Sequence, residues 1–216
     1  MRLFLRPPLN RKGILAFDLD GTLYENAAYI RFQEESQVKK LADFLHLSYD
    51  DTYFHIRQIK QQRKNCGLPP TSLANIFKEL DVPFNLIIDW RNNEFHPSDW
   101  LSHDALLLEA LSALRTSYAL GIITNNPHIV AEASLKALGV LELLNIIIAL
   151  DDTYTSKPDP VPFKTLIREA KQEPKNCFVI GDRYNIDIEP ALAEGMNGIL
   201  VDSVKDIYRM PQIMLS

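Results

Sequence analysis

The chain has 216 residues, of which 46% are hydrophobic and 24% charged, and its formal net charge at pH 7 is -5. This composition predicts a globular protein with a substantial core, long enough for one domain of about 100 to 200 residues and an insertion. The acidic balance argues against a nucleic-acid polymer or an anionic membrane as the main partner, because both attract clustered Lys and Arg.

Cysteine usage and hydropathy indicate a soluble protein of the cytoplasm. Cys66 and Cys177 lie far apart and show no Cys-x-x-Cys or Cys/His spacing, so we expect neither a disulfide framework nor a structural zinc site. No stretch has the roughly 18 uninterrupted apolar residues of a membrane span, and the apolar run at the start is too short for a signal peptide. These features leave the oligomeric state open.

Five short apolar runs predict the strands of a parallel sheet. They are rich in Ile, Val and Leu, and they span residues 14–18, 119–124, 145–150, 176–181 and 197–201. Helical patterns lie between the later runs, over residues 128–140, which contain the terminating Gly139, and over residues 161–172, which carry Pro162 near the first turn. Strands that alternate with helices predict a doubly wound, Rossmann-like α/β sheet.

A long interval without any strand-like run separates the first two predicted strands. It reads as helices over residues 27–47, 50–65 and 72–80, separated by breakers at Cys66-Gly67, Pro69-Pro70 and Pro83. We interpret residues 24–98 as an inserted helical domain and residues 1–23 and 99–216 as the α/β core, which resumes with a helix over residues 104–117.

Two aspartates stand close together in the sequence FDLDGT, at the end of the first predicted strand. Residues two apart on a strand point to the same face, but the turn at Gly21 leaves the directions of Asp18 and Asp20 open. Ligands of a parallel sheet bind beyond the carboxyl ends of its strands. Two close carboxylates cannot both ionise cheaply unless a cation lies near them or one of them keeps a proton. A divalent cation with a proton-donating acid beside it satisfies both conditions, whereas a plain surface turn is the alternative for this motif alone.

Polar residues also follow the later predicted strands. Thr124 and Asn125 come after the second run, where a hydroxyl and backbone amides at a helix start can bind an anion. Lys157 lies in a loop after the third run, and Asp182 and Asp187 follow the fourth. Read alone, each of these residues is an ordinary cap, turn or surface residue. Together, at one edge of one sheet, they argue for a functional site.

The order and setting of these motifs resemble those of the haloacid dehalogenase superfamily of hydrolases, most of which are phosphatases. The residues that carry the resemblance are DLDGT, the strand that ends in Thr124, the lysine of SKPDP and the acidic pair of GDRYNID. The insertion resembles the helical cap domain of that superfamily. The resemblance covers nearly the whole chain.

The resemblance implies a role for each aspartate. Asp18 would be the nucleophile that forms an aspartyl-phosphate, and Asp20 the general acid and then the general base. Mg²⁺ would be bound by Asp18, the main-chain carbonyl of Asp20 and Asp182, with Asp187 as a ligand through water or as a support.

The resemblance also implies how the substrate is held. Thr124, Asn125 and Lys157 would bind the phosphate group of a small phosphorylated substrate, and Lys157 would offset the negative charge of the site. An acid at Asp20 favours phosphate esters over organic halides, because a halide leaves without a proton. It does not separate a phosphatase from a phosphomutase, and a non-catalytic member that binds a phosphorylated ligand or a protein is a further alternative.

The choice of substrate is expected to depend on the insertion, and a nucleotide, phosphoglycolate or a sugar phosphate all fit. Residues 55–67 form the most basic stretch, with Arg57, Lys60, Arg63 and Lys64 at helical spacings. This stretch is either a solvated helix face or, if it faces the cleft, a contact for an acidic substrate. Aromatic and amide residues of the insertion could contact a base or belong to its core and hinges; they are Tyr24, Tyr29, Trp90 and Asn92.

Overall fold

The protein, described by a computed structural model over residues 1–6, 13–68 and 70–215, contains a six-stranded sheet. The predicted breaker at Pro69 lies outside the described residues. The strands are β1 (Arg2–Phe4), β2 (Ile14–Phe17), β3 (Ala119–Ile123), β4 (Ile146–Ile148), β5 (Cys177–Gly181) and β6 (Asn197–Leu200). Their order is β1-β6-β5-β2-β3-β4, and every neighbouring pair is parallel except β1 with β6. The predicted α/β fold is confirmed.

Two parts of the strand prediction differ from the structure. β1, which was not predicted, is only three residues long and pairs antiparallel with β6, so that Leu3 lies opposite Ile199. The run predicted as a strand over residues 145–150 ends as a strand at Ile148. Ala149 instead begins a short helix, α7 (Leu150–Thr153), because its backbone N–H donates to the Asp152 carboxylate at 2.8 Å.

Helices cover both faces of the sheet, as a buried parallel sheet requires. On one face α5 (Ala105–Arg115), α6 (His128–Leu138) and α10 (Val204–Met214) pack against Leu15 and Phe17 of β2. On the other face α8 (Pro160–Ala170) and α9 (Glu189–Ala193) pack against Ile14 and Ala16. All four residues of β2 are fully buried, which explains why its sequence is continuously apolar.

The insertion after β2 forms a helical cap with a hydrophobic core of its own. Its helices are α1 (Ala27–Leu45), α2 (Tyr49–Asn65), α3 (Leu73–Glu79) and α4 (Phe84–Glu94). Their shared core includes Leu41, Ile56, Phe77 and Ile87. We propose residues 24–98 as the bounds of this unit. Among the described residues, no helix combines the length and apolar character needed to cross a membrane.

Candidate active site

The ends of three neighbouring strands bring the predicted site residues to one edge of the sheet. Phe17, the last residue of β2, lies opposite Ile122 of β3 and Ile180 of β5. The next residue, Asp18, donates its backbone N–H to the Ile180 carbonyl at 2.7 Å, which fixes its position beside β5. The chain runs from β3 outward to β4 and returns to β5 on the other side of β2. This reversal is where ligands bind in doubly wound sheets.

Lys157 is a fully buried cation that joins two of the predicted aspartates. Its Nζ lies 2.7 Å from Asp18 Oδ1 and 2.6 Å from Asp187 Oδ1. Burial alone would lower the pKa of Lys157, but the charges of Asp18 and Asp187 outweigh that effect and raise it. The lysine therefore stays charged and offsets the two buried carboxylates.

The side chain of Asn125 fixes the backbone of Lys157. Asn125 Oδ1 accepts the Lys157 N–H at 2.7 Å, and Asn125 Nδ2 donates to the Lys157 carbonyl at 3.1 Å. Because both groups of the amide are engaged, this side chain positions the backbone of Lys157. Thr124, which is 3% exposed, accepts the Asn126 N–H on Oγ1 at 3.2 Å, and this bond fixes its hydroxyl oxygen at the end of β3.

Asp18, Asp182 and Asp187 form an acidic cluster in which one oxygen of each lies within 4.8 Å of the others. Asp187 lies on a π-helical turn, Tyr184–Ile188, which packs closely against Gly181 at the end of β5. A Cβ atom added to Gly181 would lie only 2.5 Å from the Cβ atom of Asp187. Asp182 Oδ1 is buried, and among the described residues it has no hydrogen-bond partner. Crowded, partly unsatisfied carboxylate oxygens are the donor set of a hard divalent cation.

The three carboxylates of the cluster differ in their pKa values. Burial would raise the pKa of Asp18, but the cations of Lys157 and Arg183 outweigh it and hold that pKa below its ordinary value. Burial, and then the charge of Asp18, raise the pKa of Asp182 to about 6. For Asp187, burial also dominates and the pKa is raised, although Lys157 opposes the shift. Of the three, Asp18 is thus the carboxylate that its surroundings hold in the ionised form.

The side chain of Asp20 accepts hydrogen bonds from three donors outside the acidic cluster. Its Oδ2 accepts from Asn126 Nδ2 at 2.7 Å, and its Oδ1 accepts from the Tyr24 hydroxyl and from Gln33 Nε2, the latter at 3.2 Å. Burial raises the pKa of Asp20, the Tyr24 bond opposes this, and the charge of Asp18 raises it further. The net increase favours a carboxyl group that holds a proton. The side chain of Asp20 is not a member of the acidic cluster, so its expected metal contact is left to its main-chain carbonyl.

Several residues of the site were missed in the sequence or given another interpretation. Arg183 Nη2 lies 3.4 Å from Asp18 Oδ2, and its Nε lies 3.6 Å from Asp182 Oδ1. Its position next to Asp182 was the available signal. Tyr24 binds Asp20 and thus belongs to the site, whereas Tyr29 is fully buried and stacks on Trp100.

Arg91 connects the cap to the strand ends. It is 5% exposed, and it donates through Nε to Gln37 Oε1 at 2.8 Å and through Nη1 to the backbone carbonyl of Asn125. Burial lowers the pKa of Arg91 to about 10, which still leaves it charged at neutral pH. Neither Arg91 nor Gln33 follows a strand, so no sequence motif marked them.

Comparison with known proteins agrees with this geometry. Residues 13–195 match a family model described as haloacid dehalogenase-like hydrolase. The chain is 23% identical over 193 residues to a glyceraldehyde 3-phosphate phosphatase from Methanothermobacter thermautotrophicus, covering 87% of this chain and 84% of the relative. It is 26% identical over 195 residues to a phosphoglycolate phosphatase from Colwellia psychrerythraea, covering 88% and 84%. Among solved structures, a HAD phosphatase from Thermococcus onnurineus shares the fold with a TM-score of 0.60 and 23% identity, over 94% of this chain and 97% of that one.

Proposed function

Since the chain belongs to the haloacid dehalogenase-like hydrolases and is a phosphatase, we propose that it hydrolyses a small phosphate monoester through an aspartyl-phosphate intermediate on Asp18. The observation that carries this proposal is the pairing of two aspartates in opposite states. Asp18 is kept ionised by Lys157, and Asp20, two residues later, has a pKa that is raised above its ordinary value.

The first step divides the chemistry between these two aspartates. A carboxylate oxygen of Asp18 attacks phosphorus, and a P–O bond forms as the bond between phosphorus and the leaving oxygen breaks. The proton held by Asp20 passes to the leaving oxygen, so the product departs as a neutral alcohol. Asn126 and Gln33 hold the Asp20 carboxyl in place through this transfer.

The second step uses the same residues in the reverse sense. Asp20, now ionised, takes a proton from a water molecule whose oxygen attacks phosphorus, and the bond between phosphorus and Asp18 breaks. Inorganic phosphate leaves and both aspartates return to their starting states. A phosphomutase of the same fold would direct a sugar hydroxyl to the phosphorus instead of water.

The phosphate oxygens are bound by residues from the other strand ends. Thr124 offers a hydroxyl, Asn125 a backbone N–H, and Lys157 a buried positive charge that also balances the charge of the attacking aspartate. Because the Asn125 side chain binds both the N–H and the carbonyl of Lys157, the lysine is positioned before the substrate binds.

Mg²⁺ fits the acidic cluster of Asp18, Asp182 and Asp187, because Asp182 brings a buried oxygen that lacks a hydrogen-bond partner among the described residues. The main-chain carbonyl of Asp20 would complete the protein ligands. When bound, the cation would neutralise charge that builds up on the phosphate oxygens. In the protein alone, Lys157 and Arg183 supply the positive charge around these carboxylates.

The test is hydrolysis of p-nitrophenyl phosphate and of a panel of nucleotides, sugar phosphates and phosphoglycolate, with Mg²⁺ or with EDTA. We expect turnover that requires Mg²⁺, its abolition in Asp18→Asn, and a fall of about 10² to 10⁴ in kcat in Asp20→Asn. Asp89→Asn, at an exposed position on α4, is the matched control and is expected to keep full activity. Absence of turnover across the panel in folded protein would refute the proposal. Isomerisation of a sugar phosphate with little phosphate release would indicate a mutase instead.

A further inference from the structure

The cavity at the strand ends opens into a second, larger cavity beneath the cap. The first has a volume of about 330 Å³, and Asp20, Asn126 and Asp182 line it. The second has a volume of about 610 Å³, within the range of small-molecule sites. The cavities share four lining residues, which are Lys60, Thr71, Ser72 and Arg183. A phosphate ester held at Asp18 therefore has room for its leaving group in the second cavity.

The second cavity is positively charged in a protein that is negative overall. Counting described residues only, its lining includes four basic residues, Lys60, Arg63, Lys64 and Arg183, and no carboxylate. Arg63 is paired with Glu79 at 2.8 Å, and Arg183 is paired with the aspartates of the site. Over the part of the chain that the structure describes, Lys60 and Lys64 have no carboxylate partner within salt-bridge distance.

The second cavity also has apolar lining residues, which can contact the carbon atoms of a leaving group. Leu68, which follows α2, lines the second cavity and is half exposed, and Ile186 comes from the π-helical turn that carries Asp187. Apolar walls with a few charged groups are typical of sites for small organic anions.

Arg91 adds a buried cation to the wall of the first cavity. Its hydrogen-bond partners are neutral oxygens of Gln37 and Asn125, and no carboxylate lies within salt-bridge distance of it among the described residues. Burying a cation without a counter-ion is costly, so such groups are normally paired or bind ligands. Among the described residues, the cap side of the first cavity thus has two cations, Lys60 and Arg91, and one carboxylate, Glu34, so its net charge is positive.

We propose that the leaving group of the substrate carries a second anionic group, a carboxylate or a phosphate, which binds Lys60 and Lys64 in the second cavity. This inference rests on the proposed phosphatase function and adds the class of its substrate. Lys60 is the main determinant, because it borders both cavities, and Lys64 contributes further from the reacting phosphate. The leaving-group carbons contact Leu68 and Ile186.

The experiment compares substrates that differ only in the second anion. One pair is phosphoglycolate and 2-hydroxyethyl phosphate, which tests a carboxylate, and the other is fructose 1,6-bisphosphate and fructose 6-phosphate, which tests a phosphate. The measured quantity is the ratio of kcat/KM within each pair. We expect the wild type to prefer the doubly anionic member of at least one pair, and Lys60→Gln to reduce that ratio about tenfold, mainly through KM.

Matched variants separate a specific contact from a general loss of charge. Lys39→Gln removes an exposed lysine of α1 that borders neither cavity, and it should leave the ratio as in the wild type. Lys60→Arg keeps the charge and should retain most of the preference, and Lys64→Gln should reduce the ratio less than Lys60→Gln. Lys60 is exposed, so these variants are expected to fold.

Two failures are distinguishable. If both members of each pair are hydrolysed with equal kcat/KM, or if Lys39→Gln lowers the ratio as much as Lys60→Gln, the second anion site is refuted while the phosphatase function stands. If no phosphate is released from either pair, nor from p-nitrophenyl phosphate and the rest of the panel, the proposed function itself fails.

Discussion

Replacing Asp182 by Asn is expected to stabilise the metal-free protein at neutral pH. The carboxylate lies beside Asp18 and Asp187, and burial followed by the charge of Asp18 raises its pKa to about 6. In the unfolded chain the same group titrates near its ordinary pKa of about 4. Above pH 6 the Asp182 carboxylate is therefore ionised in the folded protein, and this ionised form destabilises the fold. Asp182→Asn removes the charge and keeps the size and shape of the side chain.

The size of the effect follows from the two pKa values. A difference of about two pH units corresponds to about 3 kcal/mol. Because the side chain of Asp182 is 30% exposed, solvent screening reduces this, and we expect a gain of about 1 to 1.5 kcal/mol in the free energy of unfolding. The folded pKa is the higher one, so the favourable contribution of protonated Asp182 is complete below about pH 4 and is lost as the pH rises through 6. The gain in the free energy of unfolding from Asp182→Asn should therefore be absent near pH 4, appear between pH 4 and 6, and be complete at neutral pH.

The assay is urea unfolding in EDTA at neutral pH and near pH 4, with Asp89→Asn as an exposed control that should change nothing. Adding Mg²⁺ at neutral pH should stabilise the wild type more than Asp182→Asn, because the variant offers the cation a neutral amide in place of a carboxylate. The reasoning is refuted if Asp182→Asn is less stable than the wild type in EDTA at neutral pH, or if its gain is the same at both pH values.

Two further predictions test the buried ion pairs and the proton donor. Lys157→Met should lower the free energy of unfolding by about 3 to 5 kcal/mol at neutral pH, since it removes the buried cation that contacts both Asp18 and Asp187. Urea unfolding measures this, and a loss below about 1 kcal/mol would contradict the buried pairing. Tyr24→Phe removes a hydrogen bond that lowers the pKa of Asp20, so that pKa should rise further. Asp20 must be protonated to act as an acid, so the falling limb of the pH profile of kcat should move to higher pH by about one unit. Tyr53→Phe, at an exposed position of α2, is the control, and a limb that moves to lower pH would show that Tyr24 acts otherwise.

The strand ends and their polar residues could be predicted from the sequence because both signals are local. Each site residue on a strand end follows its apolar run within a few positions, as Asp18 follows Phe17 and Thr124 follows Ile123. In a parallel sheet the carboxyl ends share one edge, so knowing the strands was enough to expect these residues together. The short β1 lacked such a signal, because three residues at an edge form a strand only when β6 is there to pair with them. The apolar sequence of Ala149 and Leu150 also predicted strand. In the structure they begin a helix instead, because the Ala149 N–H donates to the Asp152 carboxylate.

The environment of each residue at the candidate site was decided by tertiary structure. The sequence by itself determined that Asp18 and Asp20 stand at a strand end beside a lysine and two more aspartates. Only the folded chain placed Gln33 and Arg91 of the cap against Asp20 and the Asn125 backbone, and turned the basic end of α2 toward the site. These contacts join residues far apart in the chain, and their existence depends on how the cap packs over the sheet. The sequence of residues 60–64 has the same charges whether its helix faces solvent or lines a cavity. Only the position of α2 in the folded protein distinguishes a solvated surface from a substrate contact.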